Sequence, residues 1–128
     1  MANPETRLSK SFRKKLPPGH EVRVENSAGP GTPDFNFCYQ GIEIWIEFKQ
    51  VSDLPKRPDT PVFTNCLEPH QALWHIKRQG AKGRTYIVGG VLNEKLTFII
   101  HGKHASEFNS MTLARLKELN LTLDEMLK

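Results

Sequence analysis

The chain has 128 residues, and its hydrophobic share of 38% and charged share of 25% place it among soluble globular proteins. That length allows one domain, residues 1–128, with a modest core and little room for a second module. No apolar run approaches a membrane span and the N-terminus lacks the apolar core of a signal peptide, while Cys38 and Cys66 match no metal-ligand spacing. These features point to a cytoplasmic protein with reduced thiols and no membrane association. The formal net charge of +4 permits a nucleic-acid partner without requiring one.

Residues 5 to 16 predict a short helix. Leu8, Phe12 and Leu16 recur every four residues as a buried stripe, Arg7, Lys10 and Lys14 share another face, and Pro17-Pro18-Gly19 stops it. Glu5 at its start either favours the helix dipole or serves as a remote acid. Residues 20 to 26 alternate as a strand, with Val22 and Val24 inward and Glu21, Arg23 and Glu25 outward. The glycine- and proline-rich loop 27–32 should turn sharply and allow close backbone approach.

Two alternating runs follow. Phe35, Phe37 and Tyr39 alternate with Asp34, Asn36, Cys38 and Gln40; Ile42, Ile44, Ile46 and Phe48 alternate with Glu43, Trp45, Glu47 and Lys49. Strict period two predicts half-buried strands. A two-residue Gln40-Gly41 hairpin loop sets Tyr39 opposite Ile42, Asn36 opposite Trp45, and Asp34 opposite Glu47.

Residues 51 to 66, with Pro55, Pro58 and Pro61, keep no periodicity and predict a long loop beside the second run, a candidate for gripping nucleic acid. A helix is predicted over 68–79, with Pro69 in its first turn, Gly80 at its end and Ala72, Leu73 and Ile76 on its buried side. Gln71, His75 and Arg78 share one polar face of it. Residues 84–91 and 95–101 are the remaining strands, with Asn93-Glu94 in the turn between them. The intervening helix argues for an α/β fold, a small mixed sheet flanked by helices. From His104 onward the chain is helical in character, with capping-box spacing at Thr122 and Glu125. Leu113, Leu116, Leu119, Leu121, Leu123, Met126 and Leu127 either pad the sheet or form a dimer face.

Asp34 opposite Glu47 brings two carboxylates to a Cβ separation of about 5 Å. Like charges so placed repel, and a divalent cation between them reverses the sign. Hard cations such as Mg²⁺ prefer carboxylate oxygens and keep several waters for chemistry. Lys49, two residues beyond Glu47, projects from the same face. Two acids and an ammonium at one point suit phosphodiester cleavage. Alternating Glu and Lys also occurs on ordinary solvated strand faces, so the triplet gains its meaning from the turn, the face parity and the opposition together.

Pro33-Asp34, followed after the hairpin by Glu47-Phe48-Lys49, resembles the PD-(D/E)XK nuclease signature. The wider run of RVENSAGPGTPD, WIEFK and LEPHQALW is similar to the small stand-alone VRR-NUC-type nucleases common in phages, over about residues 20 to 90. The valine-arginine-arginine run that names that group is absent. The resemblance implies a restriction-endonuclease-like core and a Mg²⁺-dependent endonuclease acting on DNA, with Mn²⁺ able to substitute and no organic cofactor. It implies that Asp34, Glu47 and the backbone carbonyl of Phe48 hold the metal and that Lys49 acts on the attacking water. Such nucleases carry an Arg-x-Glu-Asn element before the Gly-x-Pro-Asp turn. Arg23, Glu25 and Asn26 match it, which ranks Glu25 above Glu5 as the third acid. A glutamine on the following helix points into their site, and Gln71 matches that place.

Basic residues gather in three clusters: Arg7, Lys10, Arg13, Lys14 and Lys15; Lys56-Arg57; and Lys77, Arg78, Lys82 and Arg84. Around an acidic pocket they suit a phosphate backbone, with Lys10, Lys14, Lys56, Arg57 and Arg78 as candidate contacts. The substrate stays open between junction, flap, nick and duplex, and a two-fold-symmetric substrate would call for a homodimer. Two other classes stay open: a nucleic-acid-binding module on a nuclease fold that does not cut, and a regulatory protein whose C-terminal leucines bind a partner.

Overall fold

The computed structural model describes residues 4–24 and 30–128, with side chains from residue 7 onward. Five strands form one sheet in the order β1-β2-β3-β4-β5: β1 His20–Arg23, β2 Phe35–Tyr39, β3 Ile42–Val51, β4 Arg84–Val91 and β5 Leu96–His101. All neighbours are antiparallel except β3 and β4, which run parallel. Parallel neighbours need a crossover, supplied here by a loop and helix α2 (Pro69–Gly80). Helix α1 (Pro4–Arg13) precedes the sheet; a 3₁₀ segment (Gly102–Ser110), α3 (Leu113–Leu119) and α4 (Leu123–Leu127) follow it. The mixed sheet flanked by helices is the fold class expected from the sequence.

The β2–β3 hairpin turns at Gln40 and Gly41, whose φ values of 48° and 81° are those of a type I′ turn, the type whose twist matches the flanking strands. Its register pairs Tyr39 with Ile42, Asn36 with Trp45 and Phe35 with Ile46. The side chains of β3 alternate between two buried environments, so the half-buried expectation is corrected. Helices cover both faces, and Ile46, Glu47, Phe48 and Lys49 are all buried. On the α1 face Phe12, Phe35, Ile46, Phe48, Val88 and Met126 pack into one cluster; on the α2 face Phe63, Ile87, Ile100, Phe108 and Leu116 belong to another.

Three further expectations change. Val22 is 42% exposed, because β1 is an edge strand with all four residues open to solvent. On α2, Leu73 and Ile76 are 50% and 40% exposed, whereas His75 is fully buried. The inward stripe is Gln71, His75 and Gln79, spaced i, i+4, i+8, with Gln71 donating to Glu47 and Gln79 to Thr85. Hydrogen bonds to the sheet thus set the helix rotation against its own apolar pattern. Finally, much of the long loop is core. Val62, Phe63 and Leu67 are buried, Phe63 stacks on Phe108 at 5.0 Å, and the Asn109 side chain brackets the Leu67 backbone with bonds of 2.8 and 2.7 Å. The other half of the loop carries exposed Lys56 and Arg57.

The C-terminal leucines pad the sheet. Leu113, Leu116 and Leu119 pack on the α2 face, and Leu121, Leu123 and Leu127 on the α1 face. The Thr122–Glu125 capping box that starts α4 is formed in both directions, at 2.9 and 3.1 Å. Among the described residues, no helix is long and apolar enough to cross a membrane.

Candidate active site

The β2–β3 ladder ends at the Phe35–Ile46 pair; Asp34 is the residue just before β2, and Glu47 is the next residue of β3. The Val24 amide donates to the Asp34 carbonyl at 2.9 Å, which carries the β1–β2 ladder up to this residue. Pro33 before it is buried, and Asp34 Oδ1 is shielded from solvent. On β3, Glu47 and Lys49 are 4% and 9% exposed. Lys49 Nζ stands 3.5 Å from Glu47 Oε2, and Gln71 Nε2 donates to the same oxygen at 3.4 Å.

The local sequence explains why α2 reaches this pocket. Gly31 has φ of 81°, and a Cβ there would lie 2.4 Å from the His70 carbonyl oxygen. Only glycine lets the loop before Asp34 lie against the first turn of α2. In that turn Gln71 Oε1 accepts from the Glu68 amide at 2.9 Å as half of a capping box. The amide oxygen is thereby committed, and the NH₂ end is turned towards Glu47. Gln71 thus points towards the Glu47 carboxylate.

A buried carboxylate loses hydration, and the adjoining ammonium and amide offset that loss. Among the described residues no group of three or more histidine, cysteine, aspartate or glutamate side chains is placed to hold a metal ion. Mg²⁺ commonly takes only one or two carboxylates and keeps its waters, and Asp34 and Glu47 are the kind of oxygen donors a hard cation takes. The Phe48 side chain is buried in the opposite, apolar face. Any contribution from that residue must come through its backbone carbonyl. Glu25, ranked as the third acid, lies outside the described residues, as do Asn26 and the Glu5 side chain.

The basic candidates are divided between two layers. Lys10 and Lys14 are exposed on and just after α1, on one side of the sheet; Arg78 is exposed on α2, on the other. Arg13 is engaged by Glu21 at 2.8 Å and lies over the Phe35 ring. A concavity lined by Arg7, Lys15, Gln50 and Lys95 opens on the α1 side. Gln50 follows Lys49 and so points away from the acid pair.

Two features of α2 escaped the sequence reading. His75 is completely buried and, among the described residues, neither ring nitrogen has a hydrogen-bond partner; this burial lowers its pKa from 6.5 to about 4. Trp45 and Trp74 meet edge-on at 5.4 Å, with the Arg78 guanidinium over both rings. The signal available was the i, i+4 spacing of Trp74 and Arg78, which stacks the two along one helix face.

No family profile matches the chain, and no curated protein matches it. Solved structures do. One is Hjc, a Holliday junction resolvase from the archaeal hyperthermophile Archaeoglobus fulgidus, with a TM-score of 0.66, 17% sequence identity, and coverage of 95% of this chain and 97% of Hjc. The chain therefore has a resolvase-type, restriction-endonuclease-like α/β fold. At that identity the likeness is one of fold.

Proposed function

We propose that the protein is a metal-dependent endonuclease that hydrolyses DNA phosphodiester bonds at branch points, four-way junctions foremost. The observation that carries this is the buried cluster of Glu47 with Lys49 and Gln71, from β3 and α2, with Asp34 just ahead of the neighbouring strand β2. The fold shared with a Holliday junction resolvase supports the choice of a branched substrate.

Asp34 and Glu47, with the Phe48 carbonyl and Glu25 as further donors, would hold Mg²⁺ or Mn²⁺. Bound there, the ion lowers the pKa of a water and polarises the scissile phosphate. Lys49 orients that water and offsets the charge building on the phosphorane. Gln71 keeps the Glu47 carboxylate aimed. Lys10, Lys14, Lys56, Arg57 and Arg78 supply salt-dependent contacts to backbone phosphates. Paired cuts in a symmetric junction need two pockets in fixed relation, which a C₂ homodimer supplies. Its interface would lie elsewhere than the C-terminal leucines, since these cover the sheet.

The test is a panel of four-way junction, flap, nicked and plain duplex DNA, incubated with Mg²⁺ or with a chelator. Preferential, metal-dependent cutting of the junction is expected. Tight junction binding with no cutting in Mg²⁺ or Mn²⁺ would instead make this a DNA-binding module on a nuclease fold.

A further inference from the structure

Beside the acid pocket, α2 and β3 build an aromatic and cationic surface that hydrolysis does not require. Trp45 lies two residues before Glu47 on the same face of β3, about 7 Å along the strand. Its ring meets Trp74 of α2 edge-on, at 5.4 Å and 62°. The Arg78 guanidinium lies 4.7 Å from the Trp74 ring centre and 5.5 Å from that of Trp45. Its stem is pressed against Gly83, where an added Cβ would come within 2.4 Å of Arg78 Cδ. One side of the guanidinium is thus held on indole while Arg78 as a whole stays exposed.

Next to this stack runs a groove lined by Trp74, Lys77, Arg78, Ala81, Lys82 and Gly83. Lys82 adopts a left-handed conformation, φ 71°, at the turn that closes it. Among the described residues none of the three cations is in an ion pair. Basic residues in a last helical turn commonly do no more than complement the helix dipole. That role explains neither the two tryptophans nor an arginine stacked on them without a counter-charge.

We propose that the Trp45–Trp74–Arg78 stack and its groove bind an unpaired nucleobase and the phosphate next to it. The base would lie on the open face of the Arg78 guanidinium, a plane that stacks nucleobases, while Lys77 and Lys82 hold the phosphate. The inference rests on the nucleic-acid reading above and deepens it. Intact duplex keeps its bases stacked, whereas unpaired or single-stranded segments expose them, so this surface distinguishes DNA with exposed bases from plain duplex.

Trp45 and Trp74 are the two tryptophans of the chain, so tryptophan emission, excited selectively over the two tyrosines, reports on this surface. In the presence of chelator, a short oligothymidylate should quench the emission saturably, and a duplex of the same length should quench it much less. Lys77→Ala and Lys82→Ala should each weaken the single-strand interaction severalfold. Arg78→Lys keeps the charge but loses the planar fork, and should weaken it about tenfold. Arg78 is exposed, so that variant keeps the fold. Absent quenching, equal quenching by duplex, or full affinity in Arg78→Lys would overturn the proposal. Junction cleavage without quenching sinks the base site alone, and quenching without cleavage sinks the nuclease reading alone.

Discussion

Lys49 Nζ lies 3.5 Å from Glu47 Oε2, two residues apart on one face of β3, with only 11% and 6% of the two side chains open to solvent. A pair so enclosed depends on both members, because removing one leaves a charge buried without its counter-ion. Lys49→Met is expected to lower metal-free stability by about 3 kcal/mol. Combining it with Glu47→Gln should restore part of the loss, with a coupling energy of about 1–3 kcal/mol. Urea unfolding of the two single variants and the double variant measures this, and zero coupling would show that the contact carries no energy.

Acid should loosen the protein through His75. Its folded-state pKa is about 4 against an ordinary 6.5, so between those values the unfolded chain binds more protons than the folded one. Stability must then fall as pH drops from 6.5 towards 4. At 1.36 kcal/mol per pKa unit the loss is on the order of 3 kcal/mol below that window. His101 and His104 are lowered as well, by burial first and then by Lys103, and act in the same direction. His75→Leu should flatten the acid slope and raise stability at neutral pH, since it removes a buried ring whose nitrogens have no hydrogen-bond partner among the described residues. An unchanged slope in unfolding experiments across pH would contradict this.

The hairpin turn supports the site from a distance, because it sets the β2–β3 register that places Phe35, next to Asp34, opposite Ile46, next to Glu47. Gly41 has φ of 81°, and nothing lies within 4 Å of an added Cβ, so a side chain there costs only backbone strain. Gly41→Ala should lower stability by about 1 kcal/mol. Gln40→Asn should raise it by a few tenths, because asparagine accepts the left-handed conformation more readily. Opposite shifts in thermal midpoint are the check.

The C-terminal leucines belong to the monomer's core. Leu123 and Leu127 pack against the cluster around Phe12, Phe48 and Met126. Changing either to lysine is expected to destabilise the fold by about 1–3 kcal/mol. Wild-type stability with dissociation to a folded monomer, seen by thermal unfolding and sedimentation, would move these leucines to a dimer interface instead.

Much of this architecture was legible in local pattern. Period-two alternation and the Gln40-Gly41 dipeptide gave β2, β3 and their register, since a two-residue turn leaves one pairing that keeps Phe35 and Ile46 on the same face. The Thr122–Glu125 spacing and Pro69 marked helix starts for equally local reasons. The rotation of α2 was not legible. Leu73 and Ile76 read as its buried side, yet the helix is turned by contacts with Glu47 and Gly31, distant in sequence, and with Thr85 at the start of β4. The burial of Val62, Phe63 and Leu67 was hidden for a similar reason, because an irregular segment fills the core without periodicity. Glu47 and Lys49 were seen as a polar face but not as a buried pair, since burial depends on α2 lying over them.

The central claim is that Asp34 and Glu47 together form a metal-dependent cutting site. Its most direct measurement is cleavage and binding of a labelled four-way junction in Mg²⁺ by the wild type and by Asp34→Asn and Glu47→Gln. Both variants are expected to bind the junction with near-normal affinity and to cut it at least a hundredfold more slowly, an order-of-magnitude figure for losing one essential catalytic group. Added Mg²⁺ or Mn²⁺ should raise the thermal midpoint of the wild type and of neither variant, because a ligand held by the folded state stabilises it. Full cleavage by either variant, with a wild-type midpoint indifferent to metal, would contradict the claim.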